Sequence, residues 1–230
     1  MQAVILCGGA GMRLRPLTDR IPKSMVLING KPFLEHQILY FKKQGIKDFV
    51  LCAGHLWKKI VDYFKDGSNL GVKIEYSIEN EPLGTGGALK LAEKYLESDF
   101  FVIYGDSFLP VNYGDIYSEA KKIDKACVLV VYNNKEYTSV KNNIRLDKKG
   151  LVVEYNKINF DENRGYVDAG VMVLKKEILT FISTKKISSL ENDIFKRLIN
   201  IQELASIKTE QRFYDIGTPK RLNEIERVLK

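Results

Sequence analysis

The run Ala3-Val4-Ile5-Leu6-Cys7-Gly8-Gly9-Ala10-Gly11-Met12-Arg13-Leu14-Arg15-Pro16-Leu17-Thr18, continued by Pro22-Lys23, decides how the rest of the chain is read. Five apolar residues without polar alternation predict a strand over 3–7 covered on both faces, as the central strands of a parallel sheet are. Gly8-Gly9-Ala10-Gly11 ends that strand in a loop. Three glycines in four positions let backbone N–H groups approach an anion closely, because no Cβ blocks conformations with positive φ. Arg13 and Lys23 add cationic donors, the first a planar fork and the second a point charge. The stretch therefore predicts a polyphosphate site at the end of a strand. Spacing excludes two commoner glycine loops. Leu14 stands where the dinucleotide fingerprint begun at Gly9 and Gly11 asks for Gly or Ala, and no Gly-Lys-Ser/Thr string marks a P-loop.

Outward from this stretch, Leu34, Ile38 and Phe41 predict one face of a helix over 32–44, stopped by Gly45. An apolar run predicts a strand over 49–53. Trp57, Ile60, Val61 and Phe64 then share a helical face, which makes the only tryptophan a packing residue. A strand over 72–78, a helix over 87–96 and a strand over 100–104 follow, the last closed by Gly105-Asp106. Three rounds of strand and helix predict a single α/β, Rossmann-like domain with a mostly parallel mixed sheet between helices. The second half predicts strands at 127–132, 144–146, 151–155 and 167–174, with Lys148-Lys149-Gly150 as a hairpin loop. Helices are expected at 176–182 and 190–200. A short strand near 212–216 leads into a helix opened by Pro219, with Leu222, Ile225 and Leu229 inward. This β-rich portion reads as a small acceptor-binding insertion, dividing the domain into a nucleotide-binding half, 1–110, and an acceptor-binding half, 111–230.

The 230 residues are 45% hydrophobic, enough for a sizeable core, and no apolar run approaches the roughly 20 residues that cross a bilayer. No basic region precedes the first apolar run, so the expected setting is cytoplasmic without a membrane partner. Cys7, Cys52 and Cys127 each fall in an apolar run and lack zinc-site or redox spacing, so they read as reduced core thiols. A net charge of +7 suits anionic partners. The lysines are scattered in pairs such as Lys42-Lys43 and Lys121-Lys122, each beside acidic or apolar residues. That pattern points to solvated faces and small anions, and away from nucleic acid. His36 and His55 lack the neighbours of a catalytic triad and read as structural.

The opening motif resembles the signature of the sugar-1-phosphate nucleotidylyltransferases, in which Gly-Gly-x-Gly-x-Arg-Leu follows the first strand and Pro-Lys comes soon after. Further strings keep the same order along the chain: Gly30-Lys31-Pro32-Phe33-Leu34, Glu81-Pro82-Leu83-Gly84-Thr85-Gly86-Gly87, Gly105-Asp106, Asp168-Ala169-Gly170 and Tyr214-Asp215-Ile216-Gly217-Thr218-Pro219. The nearest likeness is to short members that activate mannose or heptose phosphates. The resemblance implies Arg13, Lys23 and Asp106 as catalytic residues, and Asp106 with Asp215 as carboxylates for Mg²⁺. It implies a nucleotide site made by Leu6, Gly8, Gly9, Ala10, Gly11, Met12, Arg13, Lys23, Glu81, Gly86 and Asp106. Glu81, an acceptor of hydrogen bonds only, suits guanine's adjacent N–H donors and so favours GTP.

For the acceptor, the resemblance implies Gly105, Glu154, Lys157 and Asp168. Here the family's Glu-Lys-Pro string departs to Glu154-Tyr155-Asn156-Lys157, and Asp168 replaces a common asparagine. The implied reaction joins a nucleoside triphosphate to a sugar 1-phosphate, releases pyrophosphate and supplies nucleotide sugars for cell-surface polysaccharides. Cytidylyl transfer to phosphocholine or a phospho-amide is an alternative, with Tyr155 and Tyr166 as an aromatic cage. A non-catalytic nucleotide sensor is another. A β-helix acetyltransferase domain is not expected, and a homodimer is compatible with the sequence.

Overall fold

In the computed structural model, which describes residues 1–136, 138–157, 163–183 and 187–229, the opening apolar run is β1 (Gln2–Leu6), an interior strand of a seven-stranded sheet. The short hairpin β2 (Leu27–Ile28) and β3 (Lys31–Pro32) leads into α1 (Phe33–Lys43), β4 (Asp48–Ala53), α2 (Trp57–Phe64), β5 (Lys73–Ile78), α3 (Gly84–Leu91) and β6 (Asp99–Tyr104). Then come β7 (Ser107–Phe108), α4 (Tyr113–Ile123), β8 (Cys127–Tyr132), β9 (Ile144–Leu146), β10 (Val152–Tyr155) and β11 (Val167–Lys175). The last elements are α5 (Phe195–Asn200), β12 (Leu204–Thr209), β13 (Tyr214–Asp215) and α6 (Pro219–Val228).

The sheet order is β12-β8-β11-β6-β1-β4-β5. Strands β6, β1, β4 and β5 pair in parallel, as do β8 and β12, while β11 runs antiparallel to both neighbours. Alternation sorts the strand side chains onto two faces. Ala3, Ile5, Phe49, Leu51, Phe101 and Ile103 pack with Ile38 and Phe41 of α1, Phe64 of α2 and Tyr113 of α4. Val4, Val50, Phe100, Val102 and Met172 face the other way, onto Leu89 of α3, Phe195 and Leu198 of α5, and Val152 and Tyr155 of β10. Each fully buried apolar side chain of this kind stabilises the fold by roughly 1.5–3 kcal/mol.

A third, smaller cluster joins Ile28, Phe33, Phe108, Ile216 and Ile225 and seats α6 against the short ribbon β7/β13. Pro219 opens α6 and Thr218 caps it, its hydroxyl accepting from Arg221 N. That ribbon pairs Asp215 with Ser107, and Ile216 N donates to the Asp106 carbonyl at 3.0 Å. Two aspartates far apart in sequence thereby become neighbours.

Besides the two-residue strands β2, β3 and β7, a helix and a strand escaped the sequence reading. Helix α4 carries Tyr113, Ile116 and Ala120 inward and is capped by Asn112, whose carbonyl accepts from Gly114 N and Asp115 N. Strand β12 alternates weakly and is held mainly by its parallel pairing with β8. The helix expected at 176–182 is a 3₁₀ turn, Lys176–Phe181, and the one expected at 190–200 begins as a π turn, Leu190–Ile194. The three cysteines are buried and unbridged, and no described helix is long and apolar enough to cross a membrane.

Candidate active site

Two cavities open side by side at the carboxyl ends of the central parallel strands, the usual ligand edge of such a sheet. The larger, about 800 Å³, is lined by Leu6, Cys7, the loop 8–13, Lys23, Ser24, Trp57, Glu79, Glu81, Thr85, Gly105 and Asp106 among others. The smaller, about 500 Å³, is lined by residues from Arg13 to Arg221, including Asn143, Asn156, Lys157, Asp168, Glu191 and Asp215. Arg13, Thr85, Tyr104 and Asp106 border both.

The glycine loop is shaped by its own contacts. Gly11 has φ +64, and Thr18 Oγ1 donates to its carbonyl at 2.9 Å, which folds the loop back over Lys23. At Gly8 a Cβ would stand 2.6 Å from Glu79 Oε1, so a side chain there would displace that carboxylate from its place at the cavity wall. Burial raises the Glu79 carboxyl above its ordinary pKa, opposed in part by the Leu83 N–H that its other oxygen accepts at 3.1 Å. Sequence reasoning missed Glu79 because it precedes the matched string. Glu81 also borders the cavity, but on an exposed stretch. Trp57 packs on the core and contributes to the cavity wall as well.

Lys23 donates to Asp106 Oδ2 in a close ion pair. Lost hydration opposes the charge on Asp106; Lys23, the Ser107 hydroxyl and Arg13 outweigh it and hold the carboxyl below its ordinary pKa. Asp215 accepts from Gly217 N at 2.7 Å and from Arg221 Nη1 at 3.1 and 3.0 Å. Both carboxylates face the smaller cavity, one from β13 and one from the β6–β7 turn. Among the described residues no group of three or more His, Cys, Asp or Glu forms a metal cage. Two hard carboxylates, with further oxygens from phosphate and water, are nonetheless a donor set that fits a divalent cation such as magnesium.

The far wall of the smaller cavity centres on Glu191, which the sequence reading did not single out. Tyr104 Oη donates to its Oε1 at 2.8 Å and Lys157 Nζ at 3.3 Å, while the Thr85 and Ser189 hydroxyls donate to Oε2, each at 2.8 Å. Burial would raise this carboxyl, but Lys157, a backbone N–H and the two hydroxyls bring it down to about 2. It sits in a π turn, a device common at functional sites that the sequence pattern does not announce. The Lys157 ammonium lies 3.9 Å from Asp168 Oδ2 and over the Tyr104 and Tyr155 rings, at 5.0 and 5.5 Å from their centroids. Asp168 accepts from Tyr155 Oη at 2.7 Å and Gly170 N at 2.8 Å.

Several expected residues fall elsewhere. Glu154 does not line the smaller cavity: in β10 it alternates away from Tyr155, and Arg164 and Arg145 take its carboxylate. Gly105, expected on the acceptor side, borders the larger cavity. Gly86 borders neither, because its N–H donates to the Ser188 carbonyl at 2.8 Å and the residue is buried there. Tyr155 and Tyr166 make no cage: the first packs on Phe195 with its hydroxyl on Asp168, the second lies under Lys208, and neither lines the cavity.

A cavity floored by a glycine loop, meeting a polar second cavity at Arg13 and Asp106, is the layout of an enzyme that carries a phosphorylated group from one ligand to another. The profile of the nucleotidyl transferase family matches residues 2–230, and the chain belongs to that family. Within it, the chain stands among the sugar-1-phosphate nucleotidylyltransferases. It is 34% identical over 220 residues to the D-glycero-alpha-D-manno-heptose 1-phosphate guanylyltransferase of Campylobacter jejuni, covering 96% of each chain. The enzyme of the same name from Aneurinibacillus thermoaerophilus is 31% identical, over 100% of this chain and 99% of its own. The crystal structure of HddC from Yersinia pseudotuberculosis superposes with a TM-score of 0.86 at 29% identity, over 100% of this chain and 99% of that one; HddC has also been solved complexed with GMP-PN.

Proposed function

We propose that the protein is a Mg²⁺-dependent guanylyltransferase that joins GTP to a heptose- or mannose-type sugar 1-phosphate and works in the cytoplasm. The observation that carries this reading is the shared border of the two cavities: Arg13 and Asp106 face both, so a triphosphate in one and a phosphate in the other meet beside the same charges. The names of the full-length relatives support the choice of base and sugar. The first half of the chain, with Leu6, the loop 8–13, Lys23 and Glu79, supplies the nucleotide site. The second half supplies most of the acceptor site, with Lys157 for the phosphate and Asp168 and the neighbouring asparagines for sugar hydroxyls.

In the reaction, an oxygen of the sugar phosphate attacks the α-phosphorus in line, a new P–O bond forms, and the bond to the β-phosphate breaks as pyrophosphate leaves. The nucleophile is already anionic, so no strong general base is needed. Arg13 and Lys23 hold the phosphates in line and neutralise charge on the departing pyrophosphate. Lys157, aimed by Glu191, fixes the attacking phosphate. The cation held by Asp106 and Asp215 supplies further charge neutralisation when bound.

Glu79 reads the base: a carboxylate only accepts, and guanine presents two adjacent N–H donors. Pyrophosphate release with GTP, CTP, UTP or dTTP against heptose 1-phosphate, mannose 1-phosphate and phosphocholine tests the proposal. GTP with a sugar phosphate is the expected productive pair, and turnover confined to CTP with phosphocholine would overturn it. Glu79→Gln should lower kcat/KM for GTP roughly 10- to 100-fold while leaving the other triphosphates little changed.

A further inference from the structure

Arg221 is unassigned in everything above, yet it holds the most constrained charge contact of the second aspartate. Its Nη1 lies 3.1 and 3.0 Å from the two oxygens of Asp215, and its Nη2 donates to the Ser139 carbonyl in the acceptor-cavity wall at 2.7 Å. Both members of the pair keep under a sixth of their side chains exposed, so water screens it weakly. Its origin is firm: Arg221 lies in the first turn of α6, behind the cap at Thr218 and above the buried Ile225. Asp106 is matched in the same way by Lys23. The Arg13 guanidinium is close by, its Nη2 3.3 Å from where a Cβ on Gly217 would sit. Two carboxylates are thus faced by three cations, and the centre carries one net positive charge before any ligand arrives.

We infer that Arg221 is a positioning residue that acts as a resident counter-ion on Asp215, keeping the carboxylate oriented while suppressing its affinity for a divalent cation until a triphosphate enters. This rests on the reading of Asp106 and Asp215 as the metal carboxylates. A bare divalent cation approaching Asp215 meets the guanidinium about 3 Å from the oxygen it must bind, and like charges at such distances repel strongly where water is scarce. A triphosphate reverses the sign of the site. It also offers Lys23 and Arg13 phosphate oxygens in place of Asp106, so metal and nucleotide bind with mutual support. The Ser139 contact keeps Arg221 from swinging away on its own, which makes the suppression a property of the folded acceptor wall as well as of α6.

The test is Mn²⁺ binding, followed by electron paramagnetic resonance and calorimetry, on the whole protein with and without a non-hydrolysable GTP analogue. In the wild type, the analogue should tighten Mn²⁺ binding at least about tenfold. Arg221→Gln should bind Mn²⁺ alone roughly fivefold or more tighter than wild type, with the enhancement by nucleotide shrinking to match. Arg221→Lys, which keeps the charge, should stay near wild type. Unchanged Mn²⁺ affinity in a folded Arg221→Gln protein overturns the inference. If that variant fails to fold, equal wild-type affinity for Mn²⁺ with and without nucleotide overturns it instead. Asp215→Asn separates the two levels: Mn²⁺ binding with nucleotide that survives this change sinks the metal-site reading, whereas its loss alongside an unaltered Arg221→Gln sinks only the role of Arg221.

Discussion

The two cavities are built on opposite plans. The larger is lined entirely by residues between Leu6 and Asp106, set on the ends of parallel strands whose register is locked from β6 through β1 and β4 to β5. The smaller draws on side chains from Arg13 to Arg221, carried by the β9/β10 hairpin, the antiparallel β11, a π turn and the ribbon β7/β13. In the first, a glycine loop and strand ends set the shape of the wall. In the second, side chains balance one another: Glu191 with Lys157, Asp168 with Tyr155, Asp215 with Arg221. The larger cavity is thus a property of the fold, whereas the smaller is a network of charges in which one substitution re-aims several groups.

The contrast can be broken most severely where the two cavities meet. Asp106→Asn should cut turnover by about 10²–10³ in a pyrophosphate-release assay, with the far-ultraviolet circular dichroism unchanged, because the carboxylate serves both ligands. Near-normal turnover in that variant would remove the shared centre from the argument.

A smaller and one-sided effect is expected at Glu191. Glu191→Gln should raise the KM for the sugar phosphate about tenfold and leave the KM for GTP within about twofold, since the lost charge loosens Lys157 and not the glycine loop. The same carboxyl makes a test of stability against pH. Its folded value, about 2, lies below the ordinary 4.5. A depressed value stabilises the fold above the unfolded pKa, and the contribution, on the order of 3 kcal/mol, is lost as pH falls from about 4.5 towards 2. Acid unfolding of Glu191→Gln should therefore be flatter in that window than acid unfolding of the wild type.

The smallest effect is expected at Trp57, in the wall of the larger cavity. Trp57→Phe should change the KM for GTP by less than about threefold while lowering the melting temperature by a few degrees, the signature of a wall that packs rather than stacks a base. A tenfold rise in that KM would show that the Trp57 ring stacks on the base as well as packing on the core.

Legibility followed the same division. The strand at 3–7, the glycine loop and its cations Arg13 and Lys23 could be read in the chain because short-range rules govern them: an unbroken apolar run, glycines where Cβ cannot fit, and cations next in line; Asp106 was singled out by the family resemblance. Gly86 and Glu154 were matched by their strings and misplaced, because neither a loop's hydrogen bonds nor the facing of one residue in a bulged hairpin is written in a motif. Glu191 and Arg221 carried no motif at all. Glu191 is placed by Lys157 and Tyr104, 34 and 87 positions away, and Arg221, although Asp215 is only six positions before it, is pinned by the Ser139 carbonyl 82 positions away.

The apolar runs, helical faces and glycines along the chain were enough to fix an α/β domain of alternating strands and helices, with a glycine loop behind the first strand and acidic residues at later strand ends. Local sterics and hydrophobic periodicity suffice for that, since both act within a few residues. Only the tertiary structure decided that Asp106 and Asp215 share a cavity, that Glu79 lies beneath Gly8, and that three cations stand over two carboxylates. Electrostatic and packing energies depend on distance through space, and the pairing of β7 with β13 is what turns a separation of 109 positions into a contact.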